Sequence, residues 1–428
     1  MSFSLPQTVS RALGYSVLFA TALAPVAPAT AQTSTAGAER IDRYLRESMS
    51  TFPVPGLAAV VVQDDAVVLS AGYGYADREA GRPMTSDTPL AIGSTTKGMT
   101  ALAVMQLVEQ GRVDLDTPII QYLPDFTMAD PRSSEITLRQ VLSMSSGLPA
   151  ANVLDGNQDP DALEHEIAGL ATVSLHRDPG TGYEYANDGF NLAGLLVQRM
   201  SGQTYEEYIA DHVFGPLGMG HSTLDAAHAP DLAIAQGYGH HRGETVPLQT
   251  PFTRGYNPTG GVVTTADDVG RYFRALLAGG TLEDQHVLSS ASVQAMWTPT
   301  FRTGDTSAVG LGWMLEDVDG QHGWTWTGDI GTFSSVFLVL PERHLSVAVM
   351  ANYDAPGLMN QLARGMVSIA LGGSADPLPR SVPVNVTPTV EPDRTSWDSF
   401  AGLYAARGCP RVRGISGDPR LIIRHSSG

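Results

Sequence analysis

Residues 92–105 read Ile92-Gly93-Ser94-Thr95-Thr96-Lys97-Gly98-Met99-Thr100-Ala101-Leu102-Ala103-Val104-Met105. Met99, Leu102, Ala103, Met105, Gln106, Leu107 and Val108 are good helix formers and Gly111 closes the pattern, so a helix is predicted over 94–110. Ser94 and Lys97 stand three apart at its start. That spacing puts both side chains on one helical face, within contact range. The start of a helix also offers free N–H groups and the positive end of the dipole. A hydroxyl there has a base beside it and a partial oxyanion hole behind it, which is what an activated serine nucleophile requires. Gly93 suits a sharp strand-to-helix turn.

Of the 26 Lys plus Arg residues, Lys97 is the only lysine. A genome-wide preference for Arg accounts for the arginines but not for the one lysine left. Arg stays protonated in proteins, whereas a buried lysine can lose its proton. A site that needs a neutral amine as base cannot accept Arg. At average serine usage, a serine would stand three before a lone lysine about 7% of the time by chance.

Outward from this helix the chain alternates period and composition. An amphipathic helix is predicted over 39–49, from Ile41, Tyr44, Leu45 and Met49. A hairpin follows over 56–62 and 67–75, turned at Asp64-Asp65. Residues 112–300 read as helical segments and long loops, among them 138–143, 191–201, 205–213 and 266–278. Strands return at 309–315, 323–327, 333–339 and 345–350, and a last amphipathic helix runs over 358–371. This order predicts an α/β (α+β) fold: one antiparallel sheet built from both ends of the chain, flanked by helices, with an inserted helical subdomain. The domain would span 32–372, its sheet part 32–90 and 305–372 and its helical part 91–304.

The flanks differ from this core. A short apolar stretch from Leu13 to Ala24, then Ala29-Thr30-Ala31, has the form of a secretory signal peptide over 1–31. The expected location is therefore exported, periplasmic or secreted. Residues 373–393 carry five prolines and read as a linker. Residues 394–428 would be a short C-terminal segment, with a strand from Trp397 to Tyr404 and a basic tail of five Arg and one Asp over 407–428.

Composition narrows the function. The 428 residues are 43% hydrophobic and 16% charged, enough apolar material for a large core. A net charge of −18 argues against nucleic-acid or anionic-membrane surfaces. No later segment has 18 uninterrupted apolar residues, so no membrane insertion is expected once the leader is removed. Cys409 is the single cysteine, which excludes an intrachain disulfide and a Cys-based zinc site. His228, His240 and His241 have no metal-ligand rhythm, so no metal is expected. No Gly-x-Ser-x-Gly elbow occurs; Gly220-His221-Ser222-Thr223-Leu224 comes nearest.

Two further pieces carry polar groups on loops or strand ends. One is Tyr185-Ala186-Asn187, delivered by Pro179-Gly180-Thr181-Gly182. The other is Trp326-Thr327-Gly328-Asp329, followed by Gly331 at a strand end, where Gly lets a ligand approach the backbone. In order and spacing, Ser94-x-x-Lys97, Tyr185-x-Asn187 and Trp326-Thr327-Gly328 resemble the motifs of the serine β-lactamase and penicillin-binding-protein superfamily. Class C β-lactamases and family VIII carboxylesterases look most similar. Leu142-Ser143-Met144-Ser145-Ser146-Gly147-Leu148-Pro149 and the stretch from Gly260 to Asp268 add to the likeness, which covers about 39–372.

The resemblance implies a β-lactamase/transpeptidase-like fold and an acyl-enzyme mechanism without a cofactor. Ser94 would be acylated. Lys97, neutral or sharing a proton with Tyr185, would take the Ser94 proton, and Tyr185 would serve the leaving group and then the deacylating water. Asn187 would orient Lys97 and the acyl chain, and the N–H groups of Ser94 and Asp329 would form the oxyanion hole. At the third motif the likeness breaks. A cation usual there is replaced by Trp326, and Asp329 follows closely. Trp cannot make the charge-assisted bond to a substrate carboxylate, and Asp329 would repel it. Trp326, with Thr327 and Gly328, is therefore expected to bind a neutral group, with Trp324, Tyr183, Tyr256 and Phe333 extending an apolar wall. An esterase acting on small carboxylic esters is the leading expectation. A β-lactamase, D-amino-acid peptidase or acyltransferase could use the same site, and a non-catalytic penicillin-recognising protein is the rival outside enzymes.

Overall fold

A computed structural model describes residues 35–52, 54–150, 156–241 and 244–378, and the strand segments 402–405 and 420–423. The expected leader over 1–31, most of the linker and the basic tail lie outside the described residues.

Helix α1 (Thr35–Met49) precedes the hairpin β1 (Gly56–Gln63) and β2 (Ala66–Asp77), with a short β3 (Arg82–Pro83). The C-terminal half supplies β4 (Phe301–Arg302), β5 (Ala308–Val309), β6 (Met314–Val318), β7 (Gln321–Asp329), β8 (Ser334–Leu340) and β9 (Leu345–Ala351). These join in one sheet of order β4-β5-β6-β7-β8-β9-β1-β2-β3. The two ends of the chain meet where β1 pairs antiparallel with β9, Leu57 opposite Ala351.

Every residue of β1 is buried. A strand with both faces covered needs a continuous apolar run, and Leu-Ala-Ala-Val-Val-Val supplies it. Alternate side chains sort to the two faces. Leu57, Ala59 and Val61 join Ile41 and Leu45 of α1 and Met359 and Leu362 of the last helix, Pro356–Ala370. Ala58, Val60 and Val62 join the opposite core, with Leu102, Val269 and Phe273.

Between the sheet halves lie α2 (Lys97–Glu109), α3 (Leu138–Leu142), α4 (Ala162–Ala168), α5 (Asn187–Ser201), α6 (Tyr205–Ile209) and α7 (Ala266–Leu277). Helix α2 is buried from Lys97 to Leu107, so it runs through the core rather than along the surface. Helix α8 is the final Pro356–Ala370 helix.

The architecture is that expected, with three local differences. The single strand read over 309–315 is two strands, because Gly310-Leu311-Gly312 turns the chain, Gly312 at φ 76°. The sheet part starts at Phe301, ahead of 305. The helix read over 205–213 is α-helical only to Ile209 and then widens into a π-helical turn over Ala210–Phe214. Beyond α8 the chain turns back on α1: Arg40 donates to the Gly373 carbonyl, Thr51 Oγ1 to Leu378 O at 3.0 Å, and Leu378 N to Ser48 Oγ at 3.3 Å. Strand Gly402–Ala405 pairs antiparallel with Arg420–Ile423. Among the described residues no helix is long and apolar enough to cross a membrane.

Candidate active site

Ser94 sits in a 3-10 turn, Gly93–Thr96, leading directly into α2. The approach is pinned on several sides. Leu90–Ala91 pairs with Val263–Thr264, and Ile92 N donates to Val262 O at 3.0 Å. Ser335 Oγ on β8 donates to Ile92 O at 2.6 Å, and Val262 N donates to Thr96 Oγ1 at 3.2 Å.

The end of β7 closes against this turn. β7 loses its pairing with β6 after Thr325, while β8 stays paired through Asp329. From Trp326 to Asp329 the strand therefore has a free edge. Ile330 N–H is spent on Phe333 O, toward β8, so the preceding N–H, that of Asp329, points to the free side. Contact is backbone to backbone: a Cβ on Gly328 would lie 1.9 Å from Ile92 O, and one on Gly93 would lie 2.7 Å from Asp329 N. Gly93 also has φ 52°, in the left-handed region. The N–H groups of Ser94 and Asp329 are thus brought to one place.

Lys97 is fully buried at the first residue of α2. Its Nζ lies 2.9 Å from Ser94 Oγ, 2.9 Å from Tyr185 OH and 3.0 Å from Thr259 O. Ser94 Oγ and Tyr185 OH are 2.6 Å apart. Burial pushes the lysine well below its usual range, and none of these partners is a carboxylate that could hold the charge.

Nζ is placed to donate to Ser94 Oγ, Tyr185 OH and Thr259 O. Deprotonated, it would instead accept from Ser94 Oγ–H and give one hydrogen to Tyr185 O, with the phenol donating back to Ser94 Oγ. The remaining amine hydrogen would go to Thr259 O, and every proton would have an acceptor. With an ammonium, Ser94 and Tyr185 would both receive from it, and one hydroxyl proton would need a further acceptor.

Asn187 opens α5 and its backbone O accepts from Thr259 Oγ1 at 2.7 Å. Thr259 therefore ties the second motif to the lysine. Sequence reasoning missed it, since its part is played by a backbone carbonyl. The nearby Gly260-Gly261 was the only signal: a Cβ on Gly260 would crowd the Tyr256 ring at 3.0 Å.

At the third motif, Trp326 is 4% exposed and stacks on Tyr185, with centroids 6.2 Å apart and planes at 22°. Trp324 and Phe333, expected in an apolar wall, are buried in the core. Tyr183 reaches Met314 Sδ at 4.0 Å. Thr327 is exposed. Asp329 is exposed at the end of β7; its Oδ1 accepts from Gly331 N at 2.7 Å, and partial desolvation, then the charge of Asp354, pushes its carboxyl up. A small recess of about 20 Å³ is walled by Leu224, Phe252, Tyr256, Gly260 and Ile330; Ser94, Lys97 and Tyr185 do not line it. No arginine or lysine lines it. Among the described residues no group of three or more His, Cys, Asp or Glu could hold a metal ion.

Fold and site together define a chain of the β-lactamase fold with a serine, a lysine and a tyrosine gathered at its centre. The chain belongs to the beta-lactamase family, whose model matches residues 41–371. Penicillin-binding protein 4 of Amycolatopsis lactamdurans is 30% identical over 367 residues, covering 83% of this chain and 94% of that protein. Protein flp of Staphylococcus aureus (strain MW2) is 25% identical over 336 residues, 77% of this chain; the match spans 66% of that relative's length. Among solved structures, the octameric penicillin-binding protein homologue from Pyrococcus abyssi superposes with a TM-score of 0.71 at 27% identity, covering 78% of each chain. EstCE1, a hydrolase with promiscuous acyltransferase activity, reaches 0.68 over 79% of this chain and 100% of its own, a likeness of fold at 21% identity.

Proposed function

We propose that the protein is a serine esterase that cleaves small, uncharged carboxylic esters through an acyl-enzyme. The observation that carries this reading is the closed triangle of Ser94, Lys97 and Tyr185 around a buried amine.

In the first half-reaction Ser94 Oγ attacks the ester carbonyl as its proton passes to Lys97 Nζ. The C=O electron pair moves onto oxygen, toward the N–H groups of Ser94 and Asp329. The tetrahedral species collapses by breaking the C–O bond to the alcohol. The leaving oxygen takes a proton from Tyr185, which is replenished from Lys97. A water then attacks the acyl carbonyl, giving its proton back through Tyr185, and Ser94 is released with the acid.

The choice of a neutral ester over a carboxylate-bearing β-lactam rests on charge. The only lysine is buried and engaged, and Asp329 and Asp354 neighbour each other at the end of β7. A lost charge-assisted bond is worth roughly 1.5–3 kcal/mol, about 10- to 150-fold. The test is kcat/KM for p-nitrophenyl butyrate against a chromogenic cephalosporin. The ester should be favoured by at least about tenfold. A cephalosporin hydrolysed as fast as the ester would overturn the substrate class.

A further inference from the structure

We infer that Trp326 is the positioning residue of Tyr185: its indole is a fixed floor for the phenol ring, and a ligand meets the tyrosine rather than the tryptophan. The inference rests on the acyl-enzyme reading above and adds to it how the acid-base group is held.

The two residues differ in how firmly the backbone holds them. Trp326 lies in β7, paired on one side with Phe337 of β8. It is 4% exposed, so almost none of its surface is left for a substrate. Its Nε1 is buried with no hydrogen-bond partner among the described residues, so contact through the ring face is what it offers its neighbour. Tyr185 lies on the irregular stretch before α5. The neighbouring backbone is fastened, Glu184 N to Met144 O at 2.8 Å and Ala186 N to Met144 Sδ at 3.4 Å. Those bonds fix the chain but leave the side chain to its own contacts.

Two of those contacts change during the reaction. The phenol oxygen sits 2.6 Å from Ser94 Oγ and 2.9 Å from Lys97 Nζ. Acylation converts Oγ from hydroxyl to ester oxygen, and a proton passes into and out of Lys97. Both hydrogen bonds to the phenol are therefore remade during the cycle. The stack on Trp326, 6.2 Å between centroids, involves no reacting atom and persists through both half-reactions. It keeps the hydroxyl in place for the leaving group and for the water.

The test compares Trp326→Phe with Trp326→Leu in the full chain, using p-nitrophenyl butyrate, with circular dichroism to confirm folding. Phenylalanine keeps a ring to stack on and should hold kcat within about threefold. Leucine keeps apolar bulk without a ring and should lower kcat by about 10- to 100-fold, with KM within about twofold, because a misplaced catalytic group costs rate rather than binding. Trp326→Met replaces the leucine variant if that one does not fold. Acylation by a fluorophosphonate is measured in parallel. If wild type turns over no ester, the substrate reading fails, and the fluorophosphonate rates of the variants still report on the stack. A rise in KM at unchanged kcat would make Trp326 a substrate wall and overturn the inference. Equal kcat for the ring and ringless variants would also overturn it.

Discussion

Gly93 and Asp329 meet through their backbones: a Cβ on Gly93 would come within 2.7 Å of Asp329 N. The contact brings an N–H from a C-terminal strand to the turn that carries Ser94, 235 positions earlier in sequence. It follows that Gly93→Ala should do more than strain a φ of 52°. To fit the methyl, β7 must move away and take the Asp329 N–H with it. Loss of one oxyanion donor costs about 10²- to 10³-fold in kcat. Steady-state kinetics on an ester should show that loss in kcat, with KM little changed, in a variant that still folds.

Lys97→Arg should fail almost as completely as Lys97→Ala. Charge is conserved, but the side chain is fully buried, and a guanidinium is both larger and permanently charged. The closed set of proton donors and acceptors described for the amine has no place for it. Acylation by a fluorophosphonate should fall by at least about a hundredfold in both variants. An arginine variant acylated at the wild-type rate would show that the position serves as a fixed cation.

Asp188 gives a prediction about stability and pH. It is 4% exposed, and burial, followed by the charge of Glu166 on α4, pushes its carboxyl up to about 7. The native protein therefore keeps a proton that the unfolded chain releases near pH 4. Stability from this group is fully present below about pH 4 and is lost as the pH rises toward 7. Asp188→Asn cannot ionise and should raise Tm relative to wild type, by more at pH 8 than at pH 5. Equal shifts at both pH values would contradict the burial of a titrating carboxyl there.

The sheet and its helices were legible because β1, β8 and β9 are long apolar runs and α2 carries good helix formers throughout. Strands of two residues, such as Phe301–Arg302 and Ala308–Val309, have no periodicity to read. Ser94 and Lys97 stood out because one lysine among 26 basic residues makes its spacing from a serine informative. The Thr259 carbonyl had no such mark, since every residue has one. Trp326 illustrates a different limit. A tryptophan near a strand end has the same signature whether it lines a cleft or underlies a tyrosine, and only its 4% exposure and the stack separate the two. The Asp188–Glu166 and Asp329–Asp354 neighbours are set by packing between separate elements, which local sequence does not encode.

The covalent step at Ser94 can be observed directly. The protein is mixed with p-nitrophenyl butyrate, quenched in acid during turnover, and its intact mass is taken, followed by peptide mapping. Wild type should carry one butyryl group on the peptide containing Ser94, and Ser94→Ala should carry none and lose turnover by several orders of magnitude. A butyryl group mapped to another residue, or a Ser94→Ala protein that keeps more than about a tenth of the activity, would contradict Ser94 as the nucleophile.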